Sequence, residues 1–146
     1  MISKYTLSII TLIILLNLGA VHGADFESHD FDGNFRMDVP SGSSFEKLNT
    51  LFGLDIGPSN AYRDFENNMN ISYSSVGDDD KYFNDMIKTM KEEPNVDVAK
   101  DGDLYLITTE KYHMVVFHEN HKIIAISAAN PDFDCMKKMA KSTERG

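Results

Sequence analysis

The sequence predicts an α+β domain: an antiparallel meander sheet covered by helices on both faces. Three observations lead there. Met114-Val115-Val116-Phe117 and Ile123-Ile124-Ala125-Ile126 are apolar at every position, and a strand without a polar face has to be covered on both sides. Two segments repeat apolar residues at helical spacing: Phe83, Met86, Ile87 and Met90, then Phe133, Met136, Met139 and Ala140. Between them, from Val96 onward, short apolar runs alternate with turn residues, the pattern of a meander.

The chain opens with a targeting pattern. Lys4 gives a positive start. An apolar run from Leu7 to Ala20 follows, broken by Ser8, Thr11, Asn17 and Gly19. Val21-His22-Gly23 then precedes Ala24-Asp25, with Val21 and Gly23 at the third and first positions before the expected cut. Residues 1–23 therefore read as a secretory signal peptide. A membrane span needs about 20 consecutive apolar residues, so no stable span is expected after cleavage. The alternative is an uncleaved N-terminal anchor. The expected destination is secreted, or extracytoplasmic.

Residues 24–33 form an acidic leader or an edge segment. Asn34–Val39 alternates, with Phe35, Met37 and Val39 on one face and Arg36 and Asp38 on the other, as a half-buried strand does. Pro40-Ser41-Gly42 turns the chain. Ser43 and Glu46 stand at capping-box spacing, Phe45, Leu48, Leu51 and Phe52 follow at helical spacing, and Gly53 sits at a stop position, so a short helix is expected over 44–52. Leu54–Asn60, with Gly57-Pro58, reads as loop. Ala61–Phe65 and Met69–Val76 make a hairpin around Glu66-Asn67-Asn68. Asp78-Asp79-Asp80 suits the positive end of the first long helix, and Pro94 ends it. Asp101-Gly102 signals a hairpin between Val96–Lys100 and Leu104–Thr109. Glu110-Lys111 turns into Tyr112–His118, and Glu119-Asn120 into His121–Ala128. Asn130-Pro131-Asp132 starts the final helix. Residues 34–146 are thus read as one α/β/α domain.

Residues 33–42, Gly-Asn-Phe-Arg-Met-Asp-Val-Pro-Ser-Gly, resemble the Gly-x-Phe-x-x-x-x-Pro-x-Gly opening of PsbP-like proteins, and Ile123–Ser127 followed by a helix resembles their ending. That superfamily includes an extrinsic photosystem II subunit, a Ran-binding import factor and many small secreted bacterial and archaeal proteins. The resemblance covers nearly all of the chain after residue 23. It implies an α/β/α sandwich and a non-catalytic accessory or binding role.

Charge narrows the partners. The 146-residue chain carries a net charge of −9, and residues 1–23 contribute one lysine and no acid, so the remaining 123 residues hold 13 basic and 23 acidic side chains, a net of −10. Nucleic acid and anionic lipid would be repelled. The expected partner is another extracytoplasmic protein or a cell-envelope component. Residues 24–80 hold 12 acids and 3 bases, against 11 and 10 in residues 81–146, so the front half is the side that would attract a basic partner. Oligomeric state is left open.

Three site readings compete with simpler ones. His118 and His121 would face each other across a two-residue turn, about 5 Å apart, with Glu119 between them. Two imidazoles so placed could hold zinc or copper, although His113 would lie about 16 Å off and no third ligand is evident. The simpler reading is a solvated hairpin tip with no cofactor. Asn70-Ile71-Ser72 fits an N-glycosylation sequon, but on a predicted strand. Cys135 is the lone cysteine, a free thiol that is either buried or cross-linked to another molecule. No nucleophile elbow, phosphate loop or Cys/His pair occurs, so an enzyme, such as a hydrolase with dispersed carboxylates, is the second alternative after metal binding.

Overall fold

The computed structural model describes residues 25–48, 50–51, 54–55, 59–75, 80–119, 121–128 and 133–143. The expected signal peptide, Gly53, Gly57-Pro58, Asp78-Asp79 and Asn130-Pro131-Asp132 lie outside the described residues. Among those described, no helix is long and apolar enough to cross a membrane.

The elements run β1 (Phe26–Asp30), β2 (Arg36–Pro40), β3 (Phe45–Leu48), β4 (Thr50–Leu51), β5 (Leu54–Asp55), β6 (Ser59–Asp64), β7 (Met69–Ser75), α1 (Asp80–Glu92), β8 (Asp97–Asp101), β9 (Leu104–Thr108), β10 (His113–Glu119), β11 (Lys122–Ala128) and α2 (Phe133–Lys141). Seven strands form one antiparallel sheet in the order β3-β6-β7-β11-β10-β9-β8. The β1–β2 and β4–β5 hairpins form two small sheets of their own. The architecture is sheet-dominated α+β, with two described helices.

Every β10 position from Met114 to Phe117 is buried, as is every β11 position from Ile123 to Ala128. Their side chains divide by parity into two clusters. Met114, Val116, Ile123 and Ala125 join Phe83, Met86, Ile87 and Met90 of α1. Val115, Phe117, Ile124 and Ile126 join Cys135, Met136, Met139 and Ala140 of α2, together with Met37 and Val39 of β2. Each buried aliphatic side chain of this size contributes roughly 1.5–3 kcal/mol relative to exposure, so burying both faces of these two strands stabilises the domain.

Four expectations are corrected. The helix over 44–52 is absent. Phe45–Leu48 is a strand paired with Leu48 opposite Ala61 and Phe45 opposite Asp64, and Thr50–Leu51 pairs with Leu54–Asp55. Asn49 and Phe52 lie outside the described residues. A helix of so few residues is not self-sustaining. Pairing with β6 supplies the backbone bonds instead, and Phe45 packs 5.2 Å from the Phe31 ring. Ser43 caps nothing: its N–H donates to Pro40 O, and its Oγ accepts from Asn67 Nδ2.

The second correction concerns residues 26–31. They are not loose. Phe26–Asp30 pairs with β2, and Phe31 is fully buried, stacked 4.8 Å from Phe35. This segment is thus tied to β2 by pairing and to the core through Phe31. Thirdly, Phe65 is no strand residue. β6 ends at Asp64, whose carboxylate accepts from the N–H groups of Glu66 and Asn67 and closes the turn. Phe65 is 55% exposed and its ring carries the Arg63 guanidinium at 5.0 Å.

Finally, two hairpin turns sit one residue later than expected. Asp101 pairs with Leu104, so Gly102-Asp103 is the turn, with Gly102 at φ 59°. Glu119 pairs with Lys122, so His121 is a turn residue at φ 63°. Two-residue hairpin turns favour positive φ because it matches the strand twist.

Candidate functional site

That last shift decides the fate of the histidine pair. Moving a two-residue turn along by one position shifts every cross-strand partner by two residues. His118 pairs with Ile123, not His121. His121 stands in the turn, and the cross-strand neighbour of Glu119 is Lys122. The expected His118–Glu119–His121 metal constellation is therefore not assembled. Among the described residues no group of three or more His, Cys, Asp or Glu is placed to hold a metal ion.

His118 instead belongs to a different arrangement. Its Nδ1 lies 2.8 Å from Oδ1 of Asp80, the first residue of α1, and its ring lies 5.6 Å from Phe83. Nε2 is buried without a hydrogen-bond partner. This end of β10 opens into a groove of about 670 Å³ at the edge of the sheet. Four separate pieces of chain build it: the start of α1 (Asp80, Phe83, Asn84), the β8–β9 turn (Lys100–Tyr105), the end of β10 (Phe117–Glu119), and the end of α2 (Ala140, Lys141, Thr143).

The groove has an apolar floor and charged walls. Phe83, Leu104 and Phe117 are buried. Phe83 meets Tyr105 edge-on at 5.6 Å. Lys100 Nζ lies 5.3 Å from the Tyr105 ring centre. Asp80 is 78% exposed in its side chain despite its histidine contact. Asp101 Oδ2 accepts from Lys137 Nζ at 3.1 Å. That bond and the Lys137 charge, with Lys141 adding, hold the Asp101 carboxyl below the usual carboxylate range and raise the Lys137 ammonium correspondingly. Both groups are partly exposed, so the pair sets local geometry more than stability.

The other expected sites fall elsewhere. Asn70 lies in β7 with 1% exposure. Its Oδ1 accepts from Arg63 Nη1 at 3.0 Å, and its Nδ2 is buried without a partner. A glycan on that nitrogen is incompatible with the folded domain. Cys135 is buried, 5% exposed in the α2 cluster, and as the lone cysteine it forms no disulfide within the chain. His113, at the other end of β10, lies 5.3 Å from the Phe133 ring, and burial lowers its pKa.

Sequence reasoning found His118 and Glu119 but missed Asp80 as a wall residue, and missed Asp101, Asp103 and Lys141 altogether. Asp101-Gly102-Asp103 carries a turn signal only. Nothing in local spacing says that this turn meets the ends of two helices.

No protein-family model matches the chain, and no curated protein sequence matches it. Among solved structures, the fold is similar to that of cyanobacterial PsbP (CyanoP) from Synechocystis sp. PCC 6803, with 13% identity and a TM-score of 0.42 over 88% of this chain and 96% of that one.

Proposed function

We propose that the chain is an exported, non-catalytic binding domain that acts on another extracytoplasmic protein or a cell-envelope component. In this reading residues 1–23 direct export. α1 and α2 roof opposite faces of the sheet as an α/β/α sandwich and hold the groove rigid between their ends. No resident cofactor is part of the reading. The observation that carries it is the groove itself, where charged side chains from four chain segments surround an aromatic floor. Such walls grip a partner's side chains, and rigid elements hold them in place.

The test has two arms. Intact-mass analysis of exported protein is expected to show a chain beginning at Ala24. Pull-down from envelope extract is expected to recover a discrete partner with the wild-type protein and to lose it with Asp80→Lys. Retention of residues 1–23, or identical recovery by both baits, overturns the corresponding half of the proposal.

A further inference from the structure

Three regions lie outside what the fold requires: the exposed Phe65 ring over the buried Arg63, the aromatic group around Phe31, and the edge of the sheet at β8. The last carries furthest. β8 is the outermost strand, and among the described residues no strand pairs with its far side. Its residues Asp97, Ala99 and Lys100 are exposed. An outer strand presents alternate N–H and C=O groups that another extended chain can take up. β8 ends at Lys100 and Asp101, which form part of the groove wall. Backbone docking and side-chain recognition are thus continuous along one edge.

The charge of that edge specifies what fits. Asp80, Asp101, Asp103 and Glu119 line the groove against Lys100 and Lys141. The C-terminal end of α2 adds the negative pole of its dipole at Ala140 and Lys141. Tyr105 already attracts cations: Lys100 and Lys91 sit 5.3 and 6.0 Å from its ring centre. An acidic strand partner would meet the carboxylates of Asp80, Asp103 and Glu119, beside an Asp101 already paired with Lys137. A basic one would find complementary charge.

We propose that the β8 edge and the adjoining groove receive an extended basic segment of a partner protein, which adds as a strand beside Asp97–Asp101 and places a lysine or arginine between Asp103 and Asp80. This rests on the binding-domain reading above and adds the chemistry of the partner. The strand edge is short and charged, which disfavours pairing with a second copy. A polyamine would use the carboxylates but not the strand edge.

The test uses the purified protein and an acetylated, amidated eight-residue peptide of alternating lysine and threonine, read by calorimetry. A peptide with glutamate in place of lysine and one with N-methylated alternate amides serve as comparisons. Asp103→Lys and Glu92→Lys make the same charge change, the latter about 18 Å away along α1 from Asp80. Circular dichroism confirms that both fold. Asp103→Lys is expected to weaken binding about tenfold, and Glu92→Lys less than about twofold. N-methylation is expected to cost at least about fivefold, and the glutamate peptide is expected not to bind. Equal losses in the two variants would mean general charge attraction and overturn the proposal, as would spermidine binding as tightly as the peptide. If no peptide binds while Asp80→Lys still abolishes partner capture from extract, the binding-domain reading stands and this inference falls.

Discussion

Replacing Ile123 and Ile126 by valine, singly and together, tests whether the sheet has a packed core on each side. Both residues lie in β11 and are essentially unexposed. Ile123 belongs to the cluster containing α1, and Ile126 to the cluster containing α2. Ile126 sits between Val115 and Ile71, whereas Ile123 sits between His118 and Ser74. Each change deletes one methylene, worth about 0.8 kcal/mol in transfer alone. The incompletely collapsed space brings the loss to roughly 0.5–1.5 kcal/mol. Ile126 should fall toward the upper end, because its cross-strand neighbours are buried aliphatic side chains that cannot close around the gap. The two positions are about 10 Å apart along the strand and contact different helices. Their effects should therefore add to within about 0.5 kcal/mol, giving roughly 2 kcal/mol for the double variant. Urea unfolding followed by circular dichroism measures this, with the slope m unchanged and only the midpoint lowered. A loss at Ile126 with none at Ile123 would refute the reasoning, because the α1 side of the sheet would then not be a close-packed interior.

Two further outcomes follow from particular burials. Cys135 should react with a thiol reagent at least about a thousandfold more slowly in the native protein than in urea, since reagent access requires opening of the α2 cluster. Prompt labelling in buffer would contradict its placement. His113 has a folded pKa lowered by burial. As pH falls below about 6.5, the unfolded chain therefore takes up the proton before the native one, and stability declines. Above that pH both states are neutral and His113 contributes no slope. Between pH 7 and 5 the urea midpoint of the wild type should fall faster than that of His113→Asn, and parallel curves would contradict this.

Much of the architecture was legible because its signals are local. The parity of Phe35, Met37 and Val39, the helical spacing of Phe83 to Met90, and the unbroken apolar runs at 114–117 and 123–126 each state how a segment must be buried. These are properties of neighbouring residues, and no distant contact is needed to read them. The 44–52 segment failed for the converse reason. Its capping pattern and apolar spacing are also local, but the segment is too short to stand by itself. Strand β6, arriving from later in the chain, supplied the competing bonds.

The sequence by itself determined that β10 and β11 are covered on both sides, that α1 and α2 each bury one face, and that the chain carries an acidic excess. Only the tertiary structure decided the register at the two hairpin tips, and with it that His118 meets Asp80 rather than His121. A turn's backbone twist selects which residues it uses, and a slip of one position changes every facing pair. The groove belongs to the same category. Asp80, Asp101, Glu119 and Lys141 are far apart along the chain, and the order of strands in the sheet is what brings them to one edge.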